Sequence, residues 1–95
     1  MIKRILRDSI LDIKPYETYE IDTSNKPVNI ILPSREEGTH VMIKNVTPDL
    51  NHVLVSAFKN IKINGGDVLV FGGKYKCVFV ELQFFNNNWE VKTKI

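Results

Sequence analysis

The clearest hydrophobic pattern in the chain is a strict alternation at its C-terminal end. One side of an extended backbone would carry Trp89, Val91, Thr93 and Ile95. The residues between them are charged, and a period of two predicts a β-strand with one buried face. A long apolar run at residues 75–85 precedes this strand, and three asparagines separate the two. Residues 79–95 are therefore predicted to form a β-hairpin.

The stretch of residues 28–45 predicts a strand, a corner and a second strand. β-Branched residues open it at the density of a strand, and Pro33 removes a backbone donor and ends the pairing. Gly38 is free to turn before the apolar residues resume at Val41 and Ile43. We interpret this stretch as the one around which the rest of the chain is organised.

Further short strands are predicted where apolar or alternating residues lie between turn residues. These segments are 16–22, 52–57, 61–63 and 68–71. Clusters of asparagine, glycine and proline separate them, and the sequence predicts about eight strands with a turn roughly every eight to twelve residues. Such a pattern is typical of an antiparallel all-β sandwich or barrel, or of a trimeric β-prism, and it argues against a helical domain.

The N-terminal segment, residues 1–14, is ambiguous between strand and helix. A helical stripe would contain Ile2, Ile5, Leu6, Ile10 and Ile13. The same isoleucine and leucine content also suits a strand. No N-cap residue precedes the stripe, and Pro15 biases Lys14 towards an extended backbone. We predict a strand or extended arm, with a short docking helix as the alternative, followed by one antiparallel β-domain at residues 15–95.

The composition indicates one ordered domain. The 95 residues are too few for two cores, and the hydrophobic (43%) and charged (25%) fractions are those of ordinary soluble globular proteins. The net charge of +2, from 13 basic and 11 acidic residues, is small and scattered, so it does not indicate a nucleic-acid partner. The N-terminal segment has charges among its apolar residues, and we expect neither a signal peptide nor a membrane span.

Candidate catalytic and metal-binding residues are few. His40 and His52 are expected on the outer faces of different strands, and Glu36 and Glu37 lie in a charged loop. No histidine is placed beside a nucleophile and a carboxylate, so we expect neither an enzyme nor a bound metal or cofactor. The single cysteine, Cys77, lies in an apolar run, and we interpret it as a small buried hydrophobe of a protein kept in a reducing cytoplasm.

The glycine pairs and the aromatic residues allow two other interpretations. The pairs at residues 65–66 and 72–73 lack the helix and the Gly-Lys-Ser/Thr ending of a phosphate loop, so they are predicted to be hairpin turns. Exposed aromatic rings can stack on sugars, and Tyr16 and Tyr75 are the candidates for a glycan contact.

Several short motifs occur in an order that resembles a known family. In chain order they are Leu32-Pro33 at a strand end, Gly38 leading to Ile43-Lys44-Asn45, a valine-alternating strand, the turn from Ile61 to Gly65, and Asn87 to Val91 around the tryptophan. From about Tyr19 to the C-terminus, the chain resembles the small β-domains of tailed-bacteriophage virion proteins. These are domains of tail fibres, spikes, head fibres and capsid decoration proteins.

The resemblance implies a structural role rather than catalysis. Members are commonly trimers that pack apolar strands about an axis and act as mechanical or adhesive parts. We therefore expect a non-enzymatic virion component, made in the host cytoplasm, that forms a homotrimer and docks onto a capsid or tail. Because the domain stands nearly alone, without a long fibrous region, an accessory or decoration protein is favoured. The alternative is a receptor- or glycan-binding tip module, and a small β-barrel enzyme is disfavoured by the missing histidine cluster.

Two apolar runs predict a surface that a neighbouring copy covers. Residues 68–71 and 78–85 are apolar on both faces, which is more than a two-layer monomer of this size needs. The predicted oligomer interface consists of Val68, Val70, Phe71, Phe84 and Phe85. The alternative is a closed barrel that covers both faces of a strand within one chain.

The basic and apolar N-terminal arm is the predicted anchor on a capsid or tail lattice. Its docking residues are Ile2, Lys3, Arg4, Ile5, Leu6 and Arg7. A plain solvated face is the simpler interpretation of the charges alone.

Overall fold

The computed structural model describes residues 2–14 and 17–95, and this part of the chain is all-β. Its strands, in chain order, are β1 (Ile2–Ile5), β2 (Ser9–Ile10), β3 (Thr18–Ile21), β4 (Val28–Leu32), β5 (His40–Asn45), β6 (His52–Ala57), β7 (Lys62–Ile63), β8 (Val68–Gly72), β9 (Phe79–Phe85) and β10 (Asn88–Lys94). A 3₁₀ turn, Gly73–Tyr75, follows β8, and the described residues form no α-helix. The predicted all-β class is confirmed.

The first six strands wind as a flattened β-solenoid. The large sheet has the order β1-β3-β5-β9-β10-β7, and the small sheet has the order β2-β4-β6-β8. From β1 to β6 the chain alternates between the two sheets, and neighbouring strands from successive coils pair in parallel. The three coils are β1-β2, β3-β4 and β5-β6, and one core lies between the sheets.

The predicted antiparallel sandwich, barrel or prism is therefore corrected to a solenoid-like stack. A chain that crosses from one sheet to the other and back returns in the same direction, so strands of successive coils pair in parallel. Residues 28–45 show this step, because β4 lies in the small sheet and β5 lies in the large sheet. Pro33 and Gly38, with φ of +87° at the glycine, lie in the connection. The predicted corner thus joins two sheets.

The C-terminal strands complete the large sheet with antiparallel pairs. β9 pairs with both β5 and β10, which confirms the predicted hairpin. Asn86 and Asn87 form its turn, with φ of 54° and 60°. Positive φ at both central residues suits the right-handed twist of a hairpin, and asparagine tolerates this conformation. In the small sheet, β8 pairs antiparallel with β6.

The alternation of the last strand holds for only part of its length. Trp89 is fully buried, and Val91 packs against the core. The register shifts between Val91 and Thr93, and the Thr93 hydroxyl bonds to Glu81 at 3.2 Å. A β-bulge adds one residue to one strand and so reverses the side on which the next residues lie. The prediction that Thr93 shares the buried face of Trp89 is therefore wrong.

The core is built from alternate residues of both sheets. Its most completely buried apolar side chains include Tyr19, Ile21, Val28, Ile30, Leu32, Val41, Ile43, Val53, Val55, Ile63, Phe71, Val80, Leu82 and Trp89. The Trp89 indole donates a hydrogen bond to the Pro33 carbonyl at 3.2 Å, and its ring meets Phe84 edge-on at 5.1 Å between centroids. The indole therefore buries its apolar ring and still has a hydrogen-bond acceptor for its N–H.

The N-terminal segment forms the first coil of the solenoid. β1 pairs in parallel with β3, and Ile5, Leu11 and Ile13 are buried in the common core. The segment is extended and not helical over the residues that the structure describes, whereas Met1, Pro15 and Tyr16 lie outside them. Its use as an arm that docks on a lattice stays a prediction.

A buried polar cluster joins the β3–β4 connection of one coil to the β5–β6 connection of the next. The Thr23 hydroxyl lies 3.1 Å from Asn45 Oδ1 and 3.0 Å from the carbonyl oxygens of Thr47 and Asn51. The Asn45 amide donates to the Asn51 carbonyl at 2.9 Å, and the Asn51 amide donates to the Thr23 carbonyl at 2.8 Å. We call Thr23, Asn45, Thr47 and Asn51 the corner cluster. Because Thr23 and Asn45 are buried, these bonds replace water and fix how the coils stack.

Candidate interaction surfaces

The outer side of the small sheet is apolar, and its strands carry no charged residue there. Its residues alternate with buried ones and are Ile10, Asn29, Ile31, His52, Leu54, Ser56, Val68 and Val70. The pairing sets most of them in two rows across the sheet, Ile10–Ile31–Ser56–Val68 and Asn29–Leu54–Val70. Ile10 and Val68, at opposite edges, are 59% and 51% exposed. We call this surface the small-sheet face.

The outer side of the large sheet is polar. Arg4, Glu20 and Lys44 are paired across neighbouring strands, and the Arg4 guanidinium forms an ion pair with Glu20 at 2.9 Å. On β5 and β9, His40 Nδ1 lies 3.0 Å from the Glu81 carboxylate. Interspersed charges of both signs are typical of a solvated face. We call this surface the large-sheet face, and it differs from the small-sheet face in its chemistry.

The structure places the five predicted interface residues in three different environments. Val68 and Val70 lie on the small-sheet face. Phe71 is fully buried and Phe84 is 5% exposed, so both belong to the core of the single chain and cannot contact a neighbour. Phe85 is exposed at the end of β9 in the large sheet. The correction follows from strand alternation, because only every second residue of a doubly apolar run faces outward.

The sequence interpretation missed three apolar members of the small-sheet face. Ile10, Ile31 and Leu54 lie beside the predicted Val68 and Val70. Their signal was present, since Ile31 and Leu54 are apolar at positions that the alternation of β4 and β6 assigns to the outside. What could not be read from the sequence is that β2, β4, β6 and β8 share one sheet.

The predicted docking residues at the N-terminus are not all available. Lys3, Arg4, Leu6 and Arg7 are exposed, and Leu6 is 59% exposed. The Ile5 side chain is buried in the core, so it is withdrawn as a docking residue. The Ile2 side chain lies outside the described part of the structure.

The candidate chemical residues do not converge on one site. His40 lies on the large-sheet face and His52 on the small-sheet face, where the His52 ring meets Tyr75 edge-on at 5.6 Å between centroids. The Glu37 carboxylate accepts the Asn86 N–H at 3.0 Å and supports the hairpin turn. Cys77 is buried. Within residues 2–14 and 17–95, no three histidine, cysteine or acidic side chains are arranged to hold a metal ion.

The two glycine pairs occupy different kinds of turn. Residues 65–66 turn the chain after β7, where Ile63 and Gly66 exchange backbone hydrogen bonds of 2.9 and 2.8 Å. This turn leads from the large sheet to the small sheet and so does not form a hairpin between two strands of one sheet. Residues 72–73 end β8 and begin the 3₁₀ turn. Of the two proposed glycan-contact residues, Tyr75 is 46% exposed and Tyr16 lies outside the described residues.

The fold and its two faces define a small all-β protein of the solenoid type, with one charged side and one side whose strands are mainly apolar. Comparison of the sequence with models of known protein families and with curated proteins finds no match. Within the described part of the chain, none of the structure is a helix long and apolar enough to cross a membrane.

Proposed function

We propose that this chain is a non-enzymatic structural module of a tailed-bacteriophage virion that associates with further copies of itself. The observation that carries the self-association is the small-sheet face. Ile10 and Val68 are exposed, three further apolar side chains of the face are partly exposed, and clustered exposed apolar side chains often mark an interaction site. The phage assignment rests on the motifs from residue 19 onward.

A second copy is the partner that the small-sheet face favours. Its strands carry no Asp, Glu, Lys or Arg on that side, and Asp8 lies at its rim, so like-charge repulsion between identical faces is small. Permanent contacts between identical subunits are also the more apolar class of interface and resemble a divided core. A trimer that packs this face about an axis is the form that the phage resemblance favours.

The sheet edges at the first coil are poorer candidates for self-association than the small-sheet face. At the first coil, β1 is four residues long and carries Lys3 and Arg4, and β2 is two residues long. Short and charged edge strands discourage pairing with another chain. Extension of the sheets beyond the first coil is therefore disfavoured, and association is proposed to occur face to face.

Docking on a capsid or tail is proposed to use the exposed basic residues of the first coil. Lys3 and Arg7 are exposed, and Leu6 adds an apolar side chain between them. Arg4 contributes less because its guanidinium is already paired with Glu20. Docking through these side chains leaves the buried residues of the first coil in place.

A receptor- or glycan-binding tip module is the second candidate function. It is favoured by Tyr75, whose ring is 46% exposed and has the Lys74 ammonium 5.4 Å from its centre. An exposed aromatic ring can pack against the apolar side of a sugar. Binding to a glycan array that is lost in Tyr75→Ala would favour this function over a purely structural one.

The experiment that tests the structural proposal is the solution mass of the purified chain by light scattering, near neutral pH and at moderate salt. A trimer of the 11.0 kDa chain would have about three times that mass. A multiple of the chain mass that is independent of salt supports an apolar interface, because screening weakens charged contacts and not apolar ones. A monomer at all accessible concentrations would contradict self-association.

A further inference from the structure

A cleft of about 640 Å³ lies on the large-sheet face, where β5 and β9 meet Ile13, Glu17 and the connection at residues 35–39. Its apolar lining includes Ile13 and Met42, the latter projecting from the outer side of β5. A cleft of this size can enclose a long side chain or a small ligand. It lies away from the small-sheet face, so it is independent of the proposed self-association.

Three carboxylates line the cleft, and each keeps acceptor capacity. Glu17 Oε2 lies 2.9 Å from the Tyr19 hydroxyl. Glu81 takes bonds from His40 at 3.0 Å and from Thr93 at 3.2 Å, one on each oxygen. The Glu36 carboxylate accepts no hydrogen bond from the described residues. An ionised carboxylate can accept about four hydrogen bonds, so all three can take another donor.

The arginine in the cleft lining is turned towards Asp12, a carboxylate that also pairs with Lys14. The Arg35 guanidinium pairs with the Asp12 carboxylate at 3.1 Å and donates to the Ser34 carbonyl at 3.0 Å and the Ile13 carbonyl at 3.5 Å. These bonds use donors on all three of its nitrogens and turn the charge towards Asp12. The cleft therefore presents an excess of acceptors and negative charge beside an apolar lining.

We propose that this cleft binds a lysine or arginine side chain of a partner protein. The methylene stem packs on Ile13 and Met42, as long basic side chains do when they cover apolar surface. The cationic head reaches Glu36 and the free acceptor positions of Glu17 and Glu81, and charge-assisted hydrogen bonds of this kind are the strong ones. An anionic partner is disfavoured because three carboxylates line the cleft beside one arginine.

The test uses the full chain and three blocked amino acids, each with an acetylated amine and an amidated carboxyl group. Blocked lysine is the probe, blocked norleucine has the same stem without the charge, and blocked glutamate carries the opposite charge. Titration is followed by nuclear magnetic resonance of the backbone amides. We expect the shifts for lysine to centre on Gly38, Thr39, His40 and Glu81, with norleucine binding several-fold more weakly and glutamate not binding.

Matched variants separate the cleft from the general charge of this side of the protein. Glu36→Gln and Glu81→Gln should each weaken lysine binding about two- to fivefold, the range for an exposed ion pair. Glu90→Gln removes the same charge from β10, outside the cleft, and should leave binding unchanged. Equal affinity for norleucine, tighter binding of glutamate, an equal effect of Glu90→Gln, or the absence of shifts in the cleft would each overturn the proposal.

Discussion

The amide of Asn45 fills the space that any side chain at residue 72 would need. A Cβ built on Gly72 would overlap Asn45 Nδ2 and lie 3.4 Å from the Asn51 carbonyl oxygen. Gly72 also has φ of 84° and ψ of 174°, a backbone conformation that is essentially restricted to glycine. The end of β8 thus packs against the corner cluster. This contact fixes β8, the last strand of the small sheet, to the stacked coils.

Gly72→Ala should destabilise the protein by roughly 2–6 kcal/mol, because backbone strain and overpacking each cost about 1–3 kcal/mol. The measurement is urea unfolding followed by the fluorescence of Trp89. Gly66→Ala is the matched control, since its Cβ would lie 3.6 Å from the Ile63 carbonyl oxygen, an ordinary contact. A loss of stability in Gly66→Ala as large as in Gly72→Ala would show that the fit against Asn45 is not the cause.

Thr23→Val should cost about 1–3 kcal/mol of folding stability, because it leaves buried acceptors of the corner cluster without their hydroxyl partner. The substitution keeps the shape of the side chain, so little of the loss comes from a cavity. Thr18→Val, on the outer side of β3, makes the same chemical change at a half-buried position. Thermal unfolding of both variants checks the prediction, and equal losses would refute a special role for the corner cluster.

The raised pKa of the Tyr19 hydroxyl predicts that the protein loses stability at alkaline pH. Burial is the main cause that raises its pKa from 10.0 to about 12. Because the folded-state pKa exceeds the unfolded one, the stabilisation is complete below pH 10 and is lost as pH rises from about 10 towards 12. The full loss is about 2–3 kcal/mol.

The difference in unfolding free energy between the wild type and Tyr19→Phe measures this effect. It should be constant from pH 8 to about 10 and should fall above that, while all other titrating groups cancel. At pH 8 the wild type should be the more stable by about 1–2 kcal/mol, since its hydroxyl lies 2.9 Å from the Asp12 carbonyl oxygen and accepts the Lys14 N–H at 3.2 Å. A difference that stays flat to pH 11.5 would contradict the raised pKa.

The sequence predicted the strands better than their partners. The last hairpin and the corner at residues 28–45 are local patterns, and both were identified, although the alternation of the last strand fails at the bulge between Val91 and Thr93. The coils were not recognised because they have unequal lengths. In the large sheet Ile2 pairs with Thr18, a step of 16 residues, and Thr18 pairs with Met42, a step of 24. Unequal connections erase the fixed period by which repeat folds are recognised.

The candidate surfaces were predictable only where the signal was local. Val68 and Val70 stood out because β8 has apolar residues on both of its faces. The same run also suggested Phe71, but the alternation of the strand places its side chain in the core. The corner cluster gave no such signal, because Thr23 and Asn45 resemble ordinary turn and strand-end residues in the sequence. Their burial depends on which coils stack, and this information is not local.

Self-association through the small-sheet face should be sensitive to a charge placed on that face. Ile10→Asp and Val68→Asp place a charge at opposite edges of that face, and each should weaken self-association at least about tenfold, since burying an unpaired charge at an interface opposes binding strongly. Both side chains are more than half exposed in the single chain, so folding itself should change little. Light scattering over a dilution series gives the association constant, and circular dichroism confirms the fold.

Phe85→Asp is the matched control for these two variants. Phe85 is 56% exposed, similar to Ile10 and Val68, but it lies on the other sheet. If the small-sheet face is the interface, Phe85→Asp should leave the oligomer intact. If Phe85→Asp alone dissociates it, the interface lies on the large sheet and the proposed face is wrong. Phe84→Asp should instead prevent folding, because Phe84 is 5% exposed and packs against Trp89. A folded monomer in that variant would contradict its place in the core.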